Sequence, residues 1–295
     1  MRLLPLATLM LLATATAQAE PAPAPIGPAL PPPEMAEPSP APPVLVAHQD
    51  ASLDMALLGP WRSDANKARD RYRHPKQTLA FFGVNPGQTV IEIWPGGGWY
   101  AEILAPMLRL SGEYVAVVPK AMPDSPPRVA RNNDALRAMF AAKPEVFGTP
   151  EVREAIDSAP VLGPPESADV VLTFRNAHNW VMAGNEQAMF KAIFEVLKPG
   201  GTLGLTDHRA AADQPPAEMK SSGYLPEHYV IALAEGAGFE LVGKSEINAN
   251  PADTKDYPNG VWTLPPTLNP GDKDRAKYLA IGESDRMTLK FRKPE

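Results

Sequence analysis

Residues 89–106 read TVIEIWPGGGWYAEILAP. A run with β-branched residues meets three consecutive glycines, and an apolar-periodic stretch follows at once. Strand, glycine turn, helix is the pattern of a loop that brings backbone close to a small ligand, with the helix N-terminus behind it. It predicts the first unit of an α/β sheet.

The rest of the chain keeps that alternation. SDANKARDRYRHPKQTLAFFG (63–83) reads as a helix capped by Ser63 or Asp64, bent or restarted at Pro75 and ended by Gly83. YVAVV is a second strand. Residues 125–157 are mostly helical in pattern, interrupted by Pro144 and Pro150, and APVL (159–162) is a short third strand. ADVVLTF is the fourth, TLGLTDH the fifth and FELVGKSEI the sixth. NEQAMFKAIFEVL and PEHYVIALAEGAG are the helices between them. RMTLKFRK closes the chain as a seventh strand. Alternation of this kind implies a parallel sheet covered on both faces. Only the short pattern KDRAKYLAIG precedes the last strand, so that strand is expected to be antiparallel.

Composition narrows the function classes. MRLLPLATLMLLATATAQA (1–19) has one Arg, a short apolar run and Ala17-Gln18-Ala19. That is an export signal cleaved before Glu20, which implies a periplasmic or secreted protein. The apolar run is short for a membrane span, which needs roughly 20 residues. Residues 20–49 begin EPAPAPIGPALPPPEMAEPSPAPP, a stretch with 11 of the 36 prolines, and cannot build a packed core. One large α/β domain from about 50 to 295 remains. The net charge is 28 − 34 = −6 with no basic run, so nothing points to nucleic acid. There is no Cys, which excludes disulfides and thiolate chemistry.

Gly96, Gly98 and Ala101 fit the loose dinucleotide fingerprint G-x-G-x-x-A. The second strand ends VAVVPKAM, however, without an acid for a ribose, and the antiparallel last strand is not the dinucleotide pattern. Glu92 stands out in an otherwise apolar strand. A buried carboxylate needs a partner, so Glu92 is either a salt-bridged strand residue or a polar anchor beneath the loop.

E-x-x-x-G-x-G after the first strand, LKPGG before the fifth and an antiparallel seventh strand resemble the class I S-adenosylmethionine-dependent methyltransferases. That fold is Rossmann-like, with seven mostly parallel strands and an antiparallel last one. More closely, residues 68–106, LTFRNAHNW, FEVLKPGGTLGLTDHRA, NPADTKDYPNGVWTLPP and SDRMTLKF are similar to a bacterial exported family of predicted methyltransferases. The resemblance covers about residues 60 to 293. It implies S-adenosyl-L-methionine as cofactor, a small-molecule acceptor, and a cofactor loop formed by Glu92, Gly96, Gly97 and Gly98. Trp94 takes the place of the usual first glycine, Pro95 offers no N–H, and the usual acid after strand two is missing.

In that strand order, strand four flanks strand one and strand five flanks strand four. RNAHNW (175–180) and TDHRA (206–210) then converge beside the glycine loop. Arg175, Asn176, His178, Asp207 and His208 become catalytic candidates, with a His as base and Asp207 orienting it. Trp99, Tyr100 and Trp180 are candidates for π contact with a sulfonium. Arg69, Arg71, Arg73 and His74 read as a solvated helix face from which one residue could reach the site. Tyr257 and Trp262 read as a lid or as sheet-edge cover. Two other readings stay open: an exported ligand-binding protein that kept the fold without methyl transfer, and a metalloprotein using His178, Asp207 and His208. The second lacks a local H-x-x-x-H.

Overall fold

A computed structural model describes residues 52–295 apart from 270 and 272. The expected leader, its cleavage before Glu20 and the Pro-rich spacer at 20–49 lie outside the described residues. Seven strands form one sheet: β1 Thr89–Ile93, β2 Glu113–Pro119, β3 Glu151–Ala155, β4 Ala168–Phe174, β5 Leu197–His208, β6 Glu240–Ser245 and β7 Arg286–Arg292. Their order is β3-β2-β1-β4-β5-β7-β6. The first five pair in parallel, and β7 runs antiparallel to β5 and β6. The winding reverses between β1 and β4, the point where open α/β sheets leave a crevice for ligand.

Before β1 lie α1 (52–58), α2 Asp64–Lys67, α3 Asp70–Arg73 and α4 Pro75–Phe82. Helix α5 Ala101–Leu108 joins β1 to β2, and α6 Arg128–Ala142 and α7 Pro144–Phe147 lead to β3. Helices α8 Ala177–Ala183 and α9 Glu186–Val196 join β4 to β5. Then α10 Met219–Ser222 and α11 Glu227–Gly236 lead to β6, and α12 Arg275–Ile281 precedes β7. Among the described residues no helix is long and apolar enough to cross a membrane.

The strand residues alternate between two cores. Val90, Tyr114, Ala116, Val170 and Leu172 face one, with α4, α5 and α6. Ile91, Ile93, Val115, Val117, Val171, Leu203 and Leu205 face the other, with α8, α9 and α11. This is the period-2 rule applied to strands buried on both faces, which is why their sequences are nearly all apolar. Glu92 falls on the Val90 face. Gly204 has a packing reason: a Cβ there would come within 2.6 Å of the Phe82 ring, so α4 can lie close on β5 only because that position is bare.

Three expectations need correction. The helix at 63–83 is three pieces: besides the restart foreseen at Pro75, which disfavours helical backbone at His74 (φ 39), there is a second break between Lys67 and Asp70. The third strand is Glu151–Ala155, not APVL, and it takes the part of 125–157 after Pro150 out of the mostly helical pattern expected there. Its Glu, Arg and Ala are helix formers by propensity, but charged residues suit the exposed edge strand they occupy. RNAHNW does not converge on the glycine loop along its whole length: residues from Ala177 form α8, which ends at Gly184 with φ 73. That turn of helix takes Trp180 away from the mouth and buries it against Trp94 and Phe190.

Candidate active site

The strand register lines up the site. Glu92 pairs with Leu172, Phe174 with Thr206, and His208 with Arg286. Residues that follow β1 and β4, the end of β5 and the start of β7 therefore share one rim. Trp94 extends the ladder by donating its N–H to Val117 O at 2.7 Å, then turns at φ 50. Glycine adopts that left-handed conformation freely, whereas a tryptophan in it costs about 1–2 kcal/mol. Gly96 and Gly98 follow at φ 59 and φ 80. The Gly98 N–H closes the turn on Pro95 O at 3.0 Å, whereas the amides of Gly96 and Gly97 donate to nothing among the described residues. A Cβ at Gly96 or Gly97 would meet nothing within 4 Å, so both face open space. At Gly98 it would press on the ends of the Leu136 and Met139 side chains at 3.1 Å, in a backbone conformation that residues with a Cβ rarely adopt.

Beneath the loop, Glu92 is buried and accepts a 2.6 Å hydrogen bond from Tyr114 Oη. Burial pushes its carboxyl up to about 7, against the Tyr114 hydrogen bond and the charge of Arg73. Asn176 fastens the rim: its Nδ2 donates to Ile93 O at 2.9 Å and to Thr173 Oγ1 at 3.2 Å.

Two cavities flank the loop. The one over β2, about 380 Å³, is lined by Trp94, Gly96, Pro119, Lys120, Asn133 and Asp157, with Asn176 and Asn179 at the β4 side. Asp157 is its single carboxylate, raised by burial. The other, about 200 Å³, lies between the loop and the helices before β1. Asn66, Arg69, Arg73, Glu92, Gly97, Trp99, Tyr100 and Arg175 line it. A small gap beyond it is lined by Arg73, Arg175, Thr206, Asn248 and Arg286.

The second cavity is dense in positive charge. Arg69 Nε and Arg73 Nε donate to Glu283 at 2.7 and 3.1 Å, and Arg286 Nη2 pairs with the same carboxylate. Burial alone would raise Glu283, but the guanidinium groups of Arg286, Arg73, Arg69 and Arg175 outweigh it and hold the carboxyl far below its usual range. Arg175 is itself left-handed at φ 60, with its N–H on Thr206 O at 2.7 Å. Its guanidinium has no hydrogen-bond or ion-pair partner among the described residues and lines both the cavity and the gap. Burial lowers it to about 10, so it stays charged at neutral pH.

His178, Asp207 and His208 do come together, at the carboxyl end of β5 as the order 1-4-5 requires. They are closed in. Asp207 is fully buried and accepts from His178 Nδ1 at 2.8 Å, His178 N at 3.1 Å and His208 N at 2.7 Å. His208 Nδ1 shares a 2.5 Å hydrogen bond with Ser284 Oγ. The rings lie 4.9 Å apart, with Trp262 and Tyr224 against them. Neither imidazole lines either cavity beside the glycine loop. Burial, then His178 and the guanidinium groups of Arg175, Arg286 and Arg73, hold His208 well below its ordinary value. Ligand atoms of the three residues lie within 4.8 Å of one another, close enough for a metal. The same neighbouring guanidinium charges work against a cation there.

The aromatic candidates pack against their neighbours, and Trp99 and Tyr100 line the second cavity as well. Tyr100 stacks on Phe174 at 3.6 Å, and Trp99 donates its Nε1 to Asn66 O and carries the Arg73 guanidinium on its ring at 4.7 Å. Of the residues expected on a solvated helix face, Arg69 and Arg73 turn inward, Arg71 lies over the Tyr72 ring, and His74 meets Asn248. Asp157, Glu283 and Arg286 were not among the sequence candidates. A misplaced third strand hid Asp157, and only the tertiary fold brings the other two in.

The sequence matches no family model and no curated protein. Solved structures do match. A SAM-dependent methyltransferase from Aquifex aeolicus is 17% identical, over 77% of this chain and 93% of its own, with a TM-score of 0.50. The cyclase SpnF is 18% identical, over 86% of this chain and 98% of its own, also with a TM-score of 0.50. With the strand order and the reversed β7, these likenesses identify the architecture: the chain has the Rossmann-like, class I S-adenosylmethionine-dependent methyltransferase fold.

Proposed function

We propose that the protein is an exported S-adenosylmethionine-dependent methyltransferase with a small-molecule acceptor. One observation carries the reading. A buried carboxylate, Glu92, lies beneath a glycine turn whose free amides and bare Cα positions face open space at the reversal of the sheet. The residues present fit the cofactor. Glu92, held near neutrality by burial, would take its ammonium, and the Gly96 and Gly97 amides would take carboxylate oxygens. Asp157, which follows β3, would stand in for the acid missing after β2, and Lys120 and Asn133 line the same cavity. When bound, the cofactor supplies an electrophilic methyl group on a sulfonium.

The chain's contribution is positioning. Asn176 fixes the end of β1, and Asp207 fixes α8 through the His178 backbone and ring. Both imidazoles are turned away from the cavities, so the reading rests on in-line approach and not on a histidine base. The residues that support export are Arg2, the apolar run after it and Ala17-Gln18-Ala19.

Calorimetric titration with S-adenosylmethionine tests the reading against Gly97→Val. Gly97 has ordinary backbone and open space at its Cβ, so the fold should be undisturbed. Affinity should fall by about tenfold or more, equivalent to about 1.4 kcal/mol. Wild-type affinity should also rise with pH through about 7, as Glu92 ionises. A wild-type protein that takes up no cofactor, or equal affinity in the variant, would overturn the proposal.

A further inference from the structure

The cavity between the glycine loop and α3 holds more positive charge than the described residues neutralise. Among the described residues, Arg69, Arg73 and Arg286 share the carboxylate of Glu283, Arg175 has no ion-pair partner, and the carboxyl that lines the cavity itself, Glu92, is held toward its neutral form by burial. Arg73 is 5% exposed and lines the cavity, yet its Nη2 is buried without a partner. Arg69 Nη2, Arg286 Nε and Thr206 Oγ1 are buried and unpartnered as well. An unpaired buried charge is costly, and this chain concentrates four guanidinium groups in one place although its net charge is −6. Arg175 is held there by a left-handed backbone, and strain of that kind gathers at ligand sites. Guanidinium forks match carboxylate and phosphate oxygens in geometry as well as charge.

The cofactor does not balance this excess. S-adenosylmethionine carries one carboxylate against an ammonium and a sulfonium, so it brings net positive charge. We propose that the cavity lined by Arg69, Arg73 and Arg175 takes a carboxylate or phosphate group carried by the methyl acceptor. The word acceptor rests on the methyltransferase reading; the anion preference rests on the arginines alone.

The test uses inorganic phosphate and acetate as probes at low ionic strength, on protein with and without saturating S-adenosylhomocysteine. At least one anion should raise the melting temperature, and should still do so with S-adenosylhomocysteine bound. Arg175→Met should weaken that anion by about ten- to hundredfold. Its affinity for S-adenosylhomocysteine should be little changed. The variant should fold, since Arg175 gives up no partner; Arg175→Lys, which keeps the charge and loses the fork, should weaken the anion less. Three results would overturn the proposal: no response to either anion, equal anion affinity in Arg175→Met, or loss of the anion when S-adenosylhomocysteine binds. The last would mean the cavity serves the cofactor's own carboxylate. Arg175-dependent anion binding in a protein that ignores S-adenosylhomocysteine would sink the methyl-transfer reading and leave the anion site standing.

Discussion

Two buried polar clusters sit side by side at the carboxyl end of the sheet, and they are built on opposite terms. Around Asp207, both carboxylate oxygens accept hydrogen bonds and both imidazole Nδ1 atoms are engaged. Around Glu283, donors outnumber acceptors, and several guanidinium nitrogens have no partner among the described residues. The first cluster resembles a finished piece of core; the second resembles one half of a complex. His and Asp are the residue types that suggest catalysis, yet here they are the satisfied ones. The contrast teaches that unmet hydrogen-bonding capacity is a better guide to a ligand than residue type.

If that contrast is real, the two clusters will respond differently to damage. Glu283→Gln should be the most severe change, costing about 3–5 kcal/mol because three arginines lose their counter-ion in a buried setting. Urea denaturation will measure it, and phosphate should restore part of the loss. A variant unaffected by phosphate would break the comparison.

Glu92→Gln comes next. The native carboxyl titrates near 7, whereas in the unfolded chain it releases its proton near 4.5. The folded state therefore binds more protons between those values, and wild-type stability should fall as pH rises from about 4.5 to about 7. The span is at most about 3 kcal/mol, and the variant should lack that component of the slope. Parallel stability–pH curves would show that Glu92 is ionised throughout.

The smallest effect expected is at the closed cluster. Asp207→Asn should cost about 2 kcal/mol, the order of a buried donor left unmet. Phosphate should not restore it, and affinity for S-adenosylmethionine should be nearly retained. Rescue of Asp207→Asn and Glu283→Gln to the same degree would erase the distinction.

Much of the fold was legible because strands buried on both faces spell themselves out, as TVIEI, YVAVV and ADVVLTF do. Strand β3 was not, because EVREA carries helix-forming residues at a charged edge. The glycine loop was legible from its flanks, and the convergence of RNAHNW with TDHRA from strand order. What strand order could not give was direction. Helix α8 turns His178 inward, and that depends on Asp207 accepting from its backbone and ring together. The arginines were half-legible. Arg69 and Arg73 stand four apart, but what separates a solvated stripe from a binding wall is Glu283, more than two hundred residues later.

That distance has a consequence for how the molecule comes into being. Strand β7 is the last made of the seven, yet it lies in the interior of the sheet, between β5 and β6. Until it arrives, a growing chain presents two open strand edges, and neither Glu283 nor Arg286 exists to join Arg69 and Arg73. Contacts this remote in sequence form slowly, because a long loop must close before they give anything back. The residues of the glycine turn are thus made well before those that complete the arginine wall, and the wall is whole only when the sheet is sealed.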